Sequence, residues 1–439
     1  PAAVHPVTLC CTDLHEGPGT PLAGARGRLF WGDNLEIMAG LLPDFRGKID
    51  LIYLDPPFAA GRVFTLPAGP DHRRSAPAAY RDLWPTAGDY LQMLYERLLL
   101  TRELLRETGS LIVHVNWRVA HLVQLLLDEV FGPGERQAPG RPGFRNEIVW
   151  GYGGGGSVRT AYRRKHDNLF WYTRSDRWTF NPQYRPYSEG TRQRGLTAVK
   201  GDRYRLRDEG AQLETWWTDP GVQKILSPTA EENLKYPTQK PESLLERIIT
   251  GHSNPGDLVA DFFCGSGTTG AVAERLGRRW LMADESPQAI RVTRKRLVRQ
   301  QEHAARSGHL YRAWEVWRSL ASPAPATGSP APALQLTHRP DGLLALRLLA
   351  CFPDAAENRP DPAKNGLDGI DYWAVDWDYQ PPVFRHRWTC APGKTGQIRP
   401  EAAIPAHGEC IAVRVVDRLG IETTTVLETG PGRPHGIGG

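Results

Sequence analysis

The sequence predicts an α/β protein with a mostly parallel sheet and a smaller β-rich part toward its C-terminal end. Three stretches carry that expectation. Asp50-Leu51-Ile52-Tyr53-Leu54 is an apolar, β-favouring run halted by Pro56-Pro57, so it reads as a buried strand entering a rigid loop. Asp257 to Asp261 is a second such run, entering a Gly265-x-Gly267 turn and then a helix from Thr268 to Leu276 that stops at Gly277. Arg278 to Ala283 forms the next strand, with Asp284 at its end.

In chain order, residues 1–26 are rich in Pro and Gly and read as a loose arm. Arg28 to Trp31 is a strand ending at Gly32-Asp33-Asn34, where Asp33 suits a helix N-cap. Gly61 to Ala87 lacks periodicity and reads as a mobile lid. Asp89 is expected to cap an amphipathic helix through Tyr90, Leu94, Leu98 and Leu105, closed by Gly109 before the strand Leu111 to Val115. His114 in that strand reads as an interior residue. A helix over Val119 to Val130 and a strand over Asn146 to Trp150 follow. Pro241 opens a helix whose buried face carries Leu244, Leu245 and Ile248, and Ser286-Pro287 opens the last helix, with Arg291, Arg294, Lys295, Arg296 and Arg299 on an expected exposed face. The Pro/Ala-rich run 321–332 reads as an interdomain linker, and the short strands around 343–348, 372–377 and 410–416 form the small C-terminal domain.

The chemistry concentrates at the two strand ends. Successive prolines remove backbone donors, which leaves the carbonyls of Asp55 and Pro56 to accept hydrogen bonds, and Phe58 adds a flat apolar face. A carboxylate, a carbonyl and a ring within four residues suit a planar base with an exocyclic amine. Asp284 stands 19 residues beyond Gly265, the spacing that places an acid on a ribose.

Asp55-Pro56-Pro57-Phe58 followed by Phe263-Cys264-Gly265-Ser266-Gly267, with Lys235-Tyr236-Pro237-Thr238-Gln239-Lys240-Pro241 just upstream of the glycines, resembles the S-adenosyl-L-methionine-dependent DNA amino-methyltransferases of the β class. The three motifs span roughly residues 28 to 300. Phe262 stands where the family usually has proline.

The resemblance implies a Rossmann-like methyltransferase with a circularly permuted sheet, in which the strand before Asp33 lies beside the glycine-turn strand. It implies catalysis by Asp55, Pro56, Pro57 and Phe58. S-adenosyl-L-methionine would be held by Asp33 at the adenine edge, by Asp261, Phe263, Cys264, Gly265, Ser266, Gly267, Thr268, Thr269 and Asp284, and by Thr238, Gln239 and Lys240 at the methionine end. The domain reading is an arm (1–26), a catalytic half (27–156), a DNA-recognition region (157–234), a cofactor half (235–305), a helix and linker (306–335) and a β-rich domain (336–439).

Residues 157–207 hold 13 Arg and Lys against four acids, a surplus of nine where the whole chain has +5, and aromatics are interleaved with them. Such a patch suits double-stranded DNA, and Arg159, Arg163, Arg164, Lys165, Arg192 and Arg194 are the expected contacts. Within it Phe170-Trp171-Tyr172 reads as a core strand, and the glycines 153–156 at its start as a hinge or close-approach loop.

Asp-Pro-Pro-Phe favours N6 of adenine, with N4 of cytosine the runner-up. RNA as substrate and a catalytically silent DNA-binding subunit are further alternatives, and the sparse glycine turn disfavours a nicotinamide enzyme. Six cysteines without metal-site or Cys-x-x-Cys spacing indicate a reduced cytoplasmic compartment, and no apolar run is long enough to span a membrane. The resemblance leaves a homodimer and a cognate restriction endonuclease open as partners.

Overall fold

A computed structural model describes residues 7–16, 27–66, 78–154, 158–195, 206–219, 221–222, 230, 232–309, 311–319, 332–350, 367–392, 397–405, 410–417 and 421–428. Residues 321–331 of the linker and the centre of the expected lid, 67–77, lie outside these residues.

The chain runs through β1 (Leu9–His15), β2 (Gly27–Trp31), α1 (Asn34–Phe45), β3 (Ile49–Leu54), β4 (Arg62–Thr65), β5 (Ala78–Asp82), α2 (Ala87–Leu104), β6 (Leu105–Asn116), α3 (Ala120–Phe131), β7 (Gly143–Gly151) and β8 (His166–Thr173). It continues through β9 (Tyr184–Arg185), α4 (Glu189–Gly195), β10 (Ala211–Gln212), β11 (Trp216–Trp217), α5 (Glu242–His252), β12 (Leu258–Asp261), α6 (Thr268–Arg275), β13 (Arg279–Asp284), α7 (Pro287–Arg306) and β14 (Trp314–Ser319). The remaining strands are β15 (Ala333–His338), β16 (Leu343–Ala350), β17 (Ile370–Asp376), β18 (Phe384–His386), β19 (Trp388–Cys390), β20 (Glu401–Pro405), β21 (Cys410–Asp417) and β22 (Glu422–Glu428).

Eleven strands form one sheet in the order β11-β7-β8-β6-β3-β12-β13-β2-β14-β1-β18. From β6 to β14 every pairing is parallel, so the carboxyl ends of β3, β12, β13 and β2 open on one edge. Helices α1, α2 and α3 cover one face through Ile37, Met38, Leu94, Leu98, Val123 and Leu127. The other face is covered by α5, α6 and α7 through Leu244, Ile248, Val272, Ile290 and Leu297. Both faces are dry, and the all-buried β3 therefore reads as a continuous apolar run without alternation.

Several expectations are corrected. Strand β2 lies beside β13, not beside the glycine-turn strand β12, because the short α6 crossover returns the chain next to β12 and takes that place. Residues 9–15 are not a loose arm but an internal strand, antiparallel to β14 and parallel to β18. Residues 314–319, expected as helix or linker, are strand β14. Helix α2 is capped by Thr86, whose hydroxyl accepts from Asp89 N at 3.2 Å while the Asp89 carboxylate accepts from Thr86 N at 2.9 Å; Asp89 is the far half of a capping box. The same helix stops at Leu104, and β6 begins at Leu105 without a Gly109 turn.

The exposed face expected for α7 is covered. Strands β15, β16 and β20 form one C-terminal sheet, strands β19, β17, β21 and β22 another, with Leu346, Trp373, Val375, Ile404 and Val413 in their common core. This part packs on α7 and β1: Arg291 and Lys295 bind Asp371, and Arg294 binds Asp13 at 3.2 Å and Glu422. Asp13, wholly buried, also accepts from Arg414 and pairs with His386 Nε2 at 3.1 Å. His15 is stacked between Trp314 and His386 at ring distances of 3.6 and 3.7 Å. Burial lowers His386 to about 4 and holds His15 well below its ordinary value.

As pH falls below about 6.5 the unfolded chain takes up protons that the folded one refuses, so stability drops toward pH 4. Thermal unfolding followed between those values should show a loss on the order of 3 kcal/mol from His386. His386→Phe should flatten that slope.

Candidate active site

The carboxyl ends of β2, β3, β12 and β13 enclose a cleft of about 280 Å³. Strand β3 delivers Asp55 to its wall, and Pro56, Pro57 and Phe58 continue along it. The loop is clamped from hairpin β4–β5: both Phe58 N and Ala60 N donate to Asp82 Oδ2, at 3.1 and 2.8 Å, and Trp84 Nε1 donates to Oδ1 at 3.0 Å. Ala59 between them has φ 52°, a left-handed conformation that a residue with a Cβ adopts only when its neighbours impose it. Lys240 Nζ lies 2.5 Å from Asp55 Oδ2 and 5.0 Å from the centre of the Phe58 ring. The other carboxylate oxygen, Asp55 Oδ1, is buried with no partner among the described residues.

The glycine turn faces Asp55 across the cleft. Asp261 is buried, accepts from Phe263 N at 3.0 Å and Thr269 Oγ1 at 2.5 Å, and burial raises its carboxyl to about 7. Asp284 accepts from Gly265 N and Ser286 N, each at 2.9 Å, and burial raises it to about 6. Cys264, Gly265, Ser266, Phe263, Thr268 and Thr269 all line the cleft. Thr268 is fixed by Arg296 Nη1 at 2.6 Å, reaching in from α7.

The two glycines are needed for packing as much as for access. A Cβ on Gly265 would meet the Tyr236 ring at 3.2 Å, and one on Gly267 would meet Thr293 at 2.6 Å. Gly267 lies where α6 packs closely against Thr293 of α7. With φ 72° and that clash, Gly267→Ala should cost about 2 kcal/mol or more, read as a lower midpoint in thermal unfolding.

Asp33 caps α1, accepting from Leu35 N at 2.7 Å and Glu36 N at 3.4 Å, and both its oxygens pair with Arg97 Nη2. Asn34, beside it, donates to the Phe262 carbonyl at 2.7 Å and accepts from Arg97 Nε. Of the three polar residues upstream of the glycines, Lys240 binds Asp55, and Gln239 is used within its own loop, accepting from Leu234 N at 3.0 Å and donating to Glu232 O at 2.6 Å. Thr238, at φ 61°, meets Tyr80 of the hairpin, with 3.1 Å between hydroxyls. Glu285 completes the acidic wall.

Sequence reasoning missed Arg97, Asn34, Asp82 and Tyr80. Arg97 had a signal: it stands on the buried stripe of α2 with Leu94 and Leu98, where an arginine needs a buried acid. Asp82 had none, because its partners are backbone N–H groups 22 and 24 residues away.

Arg159, Arg163, Arg164 and Arg192 are exposed and Lys165 is partly so, while the Arg194 side chain lies outside the described residues, as do residues 155–157 of the glycine run. Arg163 donates to the Gly154 carbonyl. Arg164 and Arg118 cover the Trp117 ring at 4.0 and 4.8 Å, and Tyr162 beside them is 98 % exposed. Phe170, Trp171 and Tyr172 are in the core, in β8. Among the described residues no cluster of His, Cys, Asp and Glu is placed to hold a metal, and no helix is long and apolar enough to cross a membrane.

A parallel α/β sheet with a glycine turn on one strand, an acid on the next and a Pro-Pro loop between them and the mouth is the arrangement of a Rossmann-like methyltransferase. The chain belongs to the N6/N4 DNA methylase family, whose sequence profile matches residues 49–295, and S-adenosyl-L-methionine is the methyl donor. It is 26% identical over 326 residues to the Type II methyltransferase M.EcaI of Enterobacter cloacae, covering 61% of this chain and 68% of that one. It is 27% identical over 253 residues to the DNA adenine methyltransferase YhdJ of Escherichia coli (strain K12), covering 57% of this chain and 76% of that one. The crystal structure of the M1.HpyAVI–SAM complex superposes with a TM-score of 0.41 at 20% identity, over 62% of this chain and 98% of that one.

The cleft fits that donor. Asp33, Asp284 and Glu285 offer carboxylates to ribose hydroxyls and to a cationic sulfur, and Ser266, Thr268 and Thr269 offer hydroxyls.

Proposed function

We propose that the protein methylates the exocyclic N6 amine of an adenine extruded from duplex DNA. The observation that carries this reading is the buried, unpartnered Oδ1 of Asp55 on the wall of the cleft that also holds the glycine turn. Bound there, S-adenosyl-L-methionine supplies an electrophilic methyl on a sulfonium.

The amine of the base is a poor nucleophile because its lone pair is delocalised into the ring. Hydrogen bonds from its two N–H groups to Asp55 Oδ1 and the Pro56 carbonyl favour a pyramidal nitrogen and aim the lone pair. Both acceptors improve as positive charge develops on that nitrogen. Phe58 is the stacking face for the flipped ring, and Lys240, 5.0 Å from its centre, is held on Asp55 Oδ2. Asp33, Asp284 and the residues 261–269 on the cleft wall hold the donor.

Asp-Pro-Pro-Phe and the likeness to a DNA adenine methyltransferase support adenine. Cytosine N4 is the second reading, since it too presents an amine beside a ring nitrogen. Likeness to a Type II methyltransferase supports a modification role alongside an endonuclease. Mass spectrometry of nucleosides from duplex DNA incubated with the protein and methyl-labelled donor tests this. Label in N6-methyladenine is expected; label in N4-methylcytosine moves the reaction to the second base, and label in neither removes the reading.

The DNA backbone is assigned to Arg159, Arg163, Arg164, Lys165 and Arg192. Replacing Arg163, Arg164 and Lys165 by Ala should reduce the slope of log affinity against log salt by about 2 to 3, measured by fluorescence anisotropy on a duplex. An unchanged slope would place the DNA elsewhere.

A further inference from the structure

Behind the catalytic loop lies a hydrogen-bonded chain that the reading above does not use. Tyr53, two residues before Asp55, lines the cleft with its hydroxyl 2.8 Å from His114 Nδ1. His114 Nε2 lies 3.2 Å from Asp167 Oδ2, and Asp167 Oδ1 accepts from the Tyr152 hydroxyl at 3.2 Å. The three inner residues come from neighbouring strands β3, β6 and β8, and all are buried, while Tyr152, just beyond β7, is partly exposed. The chain thus runs from the cleft wall toward the surface.

Its polarity follows from chemistry. Burial opposes ionisation of Asp167, but hydrogen bonds with His114 and Tyr152 and the nearby Lys240 outweigh it and hold the carboxyl below its ordinary value. An ionised carboxylate only accepts, so His114 Nε2 carries the hydrogen, Nδ1 is the bare acceptor, and Tyr53 donates its hydroxyl hydrogen to it. The Tyr53 oxygen therefore offers lone pairs to the cleft. Burial raises the Tyr53 hydroxyl well above its ordinary value, which keeps it a neutral conduit and not a phenolate. Asp55 Oδ2 is held by Lys240 and Oδ1 takes one N–H of the amine, while the Pro56 carbonyl, which takes the second, is too weak a base to keep its proton.

We propose that Tyr53, His114 and Asp167 are the path by which the proton leaves the methylated amine, an inference that rests on the methyltransferase reading. The N–C bond forms as the C–S bond breaks, and the nitrogen becomes cationic with one hydrogen too many. In step with that bond making, the hydrogen that pointed at the Pro56 carbonyl passes to the Tyr53 oxygen while the Tyr53 hydrogen passes to His114 Nδ1, and the resulting imidazolium is stabilised by Asp167. Nothing is oxidised or reduced. The groups facing His114 are the Tyr53 hydroxyl from β3, the Asp167 carboxylate from β8 and the uncharged rings of Phe58 and Trp150 at 5.9 and 5.6 Å. Asp55 and Lys240 are the charges across the cleft.

Single-turnover transfer of labelled methyl to duplex DNA, measured between about pH 5 and pH 9, tests the path with Tyr53→Phe and Asp167→Asn. Tyr53→Phe keeps the buried ring and should slow transfer about 10²-fold. It should also change the dependence of rate on pH, because the outlet for the proton is cut. Asp167→Asn should slow transfer about tenfold and alter that dependence as well, since His114 loses its carboxylate partner. In both variants calorimetry with S-adenosyl-L-methionine should give an affinity within about twofold of wild type, which also reports an intact fold. A wild-type pH profile in Tyr53→Phe overturns the path whatever its rate, because a merely structural role changes rate alone. Absence of transfer by the wild-type protein overturns the methyltransferase reading itself and the path with it.

Discussion

Asp55→Ala is expected to lower methyl transfer by about 10³-fold or more while the affinity for S-adenosyl-L-methionine stays within a few-fold. Two consequences of the substitution separate in the measurement. The amine loses the acceptor that aims its lone pair, which is a loss at the transition state. Lys240, one-tenth exposed, loses its partner, which is a loss of folding energy of about 3 kcal/mol if the ammonium stays where it is. Because Lys240 also lies over Phe58, its release gives it a way out to solvent, and the smaller penalty is expected. Thermal unfolding of Asp55→Ala and of Lys240→Met then reads the second effect, and labelled transfer at saturating donor reads the first. Activity within tenfold of wild type would remove Asp55 from the reaction.

Truncation after residue 320 is expected to yield an insoluble chain, or one whose unfolding midpoint is lowered by tens of degrees. The sequence, with its Pro/Ala-rich run, suggests the opposite: a detachable C-terminal part. The structure shows what detachment removes. Strand β1 loses β18, Asp13 loses Arg414 and His386, Arg294 loses Glu422, and Arg291 and Lys295 lose Asp371. Stranding even one buried charge costs about 3 to 5 kcal/mol, against a total stability of about 5 to 15 kcal/mol for an ordinary domain. His15 also loses one of the two rings it is stacked between. A shortened chain that melts within a few degrees of the full one, read by circular dichroism, would show that this junction carries little of the stability.

Much of the site was legible because its residues are local in sequence. Pro56-Pro57 stops a strand wherever it falls, Gly265 and Gly267 do adopt positive φ, at 51° and 72°, and Asp284 does end the strand that follows. Asp33 as a cap was legible for the same reason, since its partners are two and three residues away. Nothing in Thr238-Gln239-Lys240 tells that the Lys240 ammonium crosses to a carboxylate 185 residues distant. The arginines of α7 were misread as a solvated face because helical spacing alone does not reveal that another domain lies on top.

By itself, then, the sequence determined the local conformations and the order of the motifs, since backbone stereochemistry, prolines, glycines and apolar runs act over a few residues and need no partner. Only the tertiary structure decided who faces whom: Arg97 on Asp33, Asp82 under the catalytic loop, His114 between Tyr53 and Asp167, and Asp13 sealed beneath β18. Those pairings depend on sheet register and on which strands become neighbours, and both are set by burying the apolar faces of the whole chain at once.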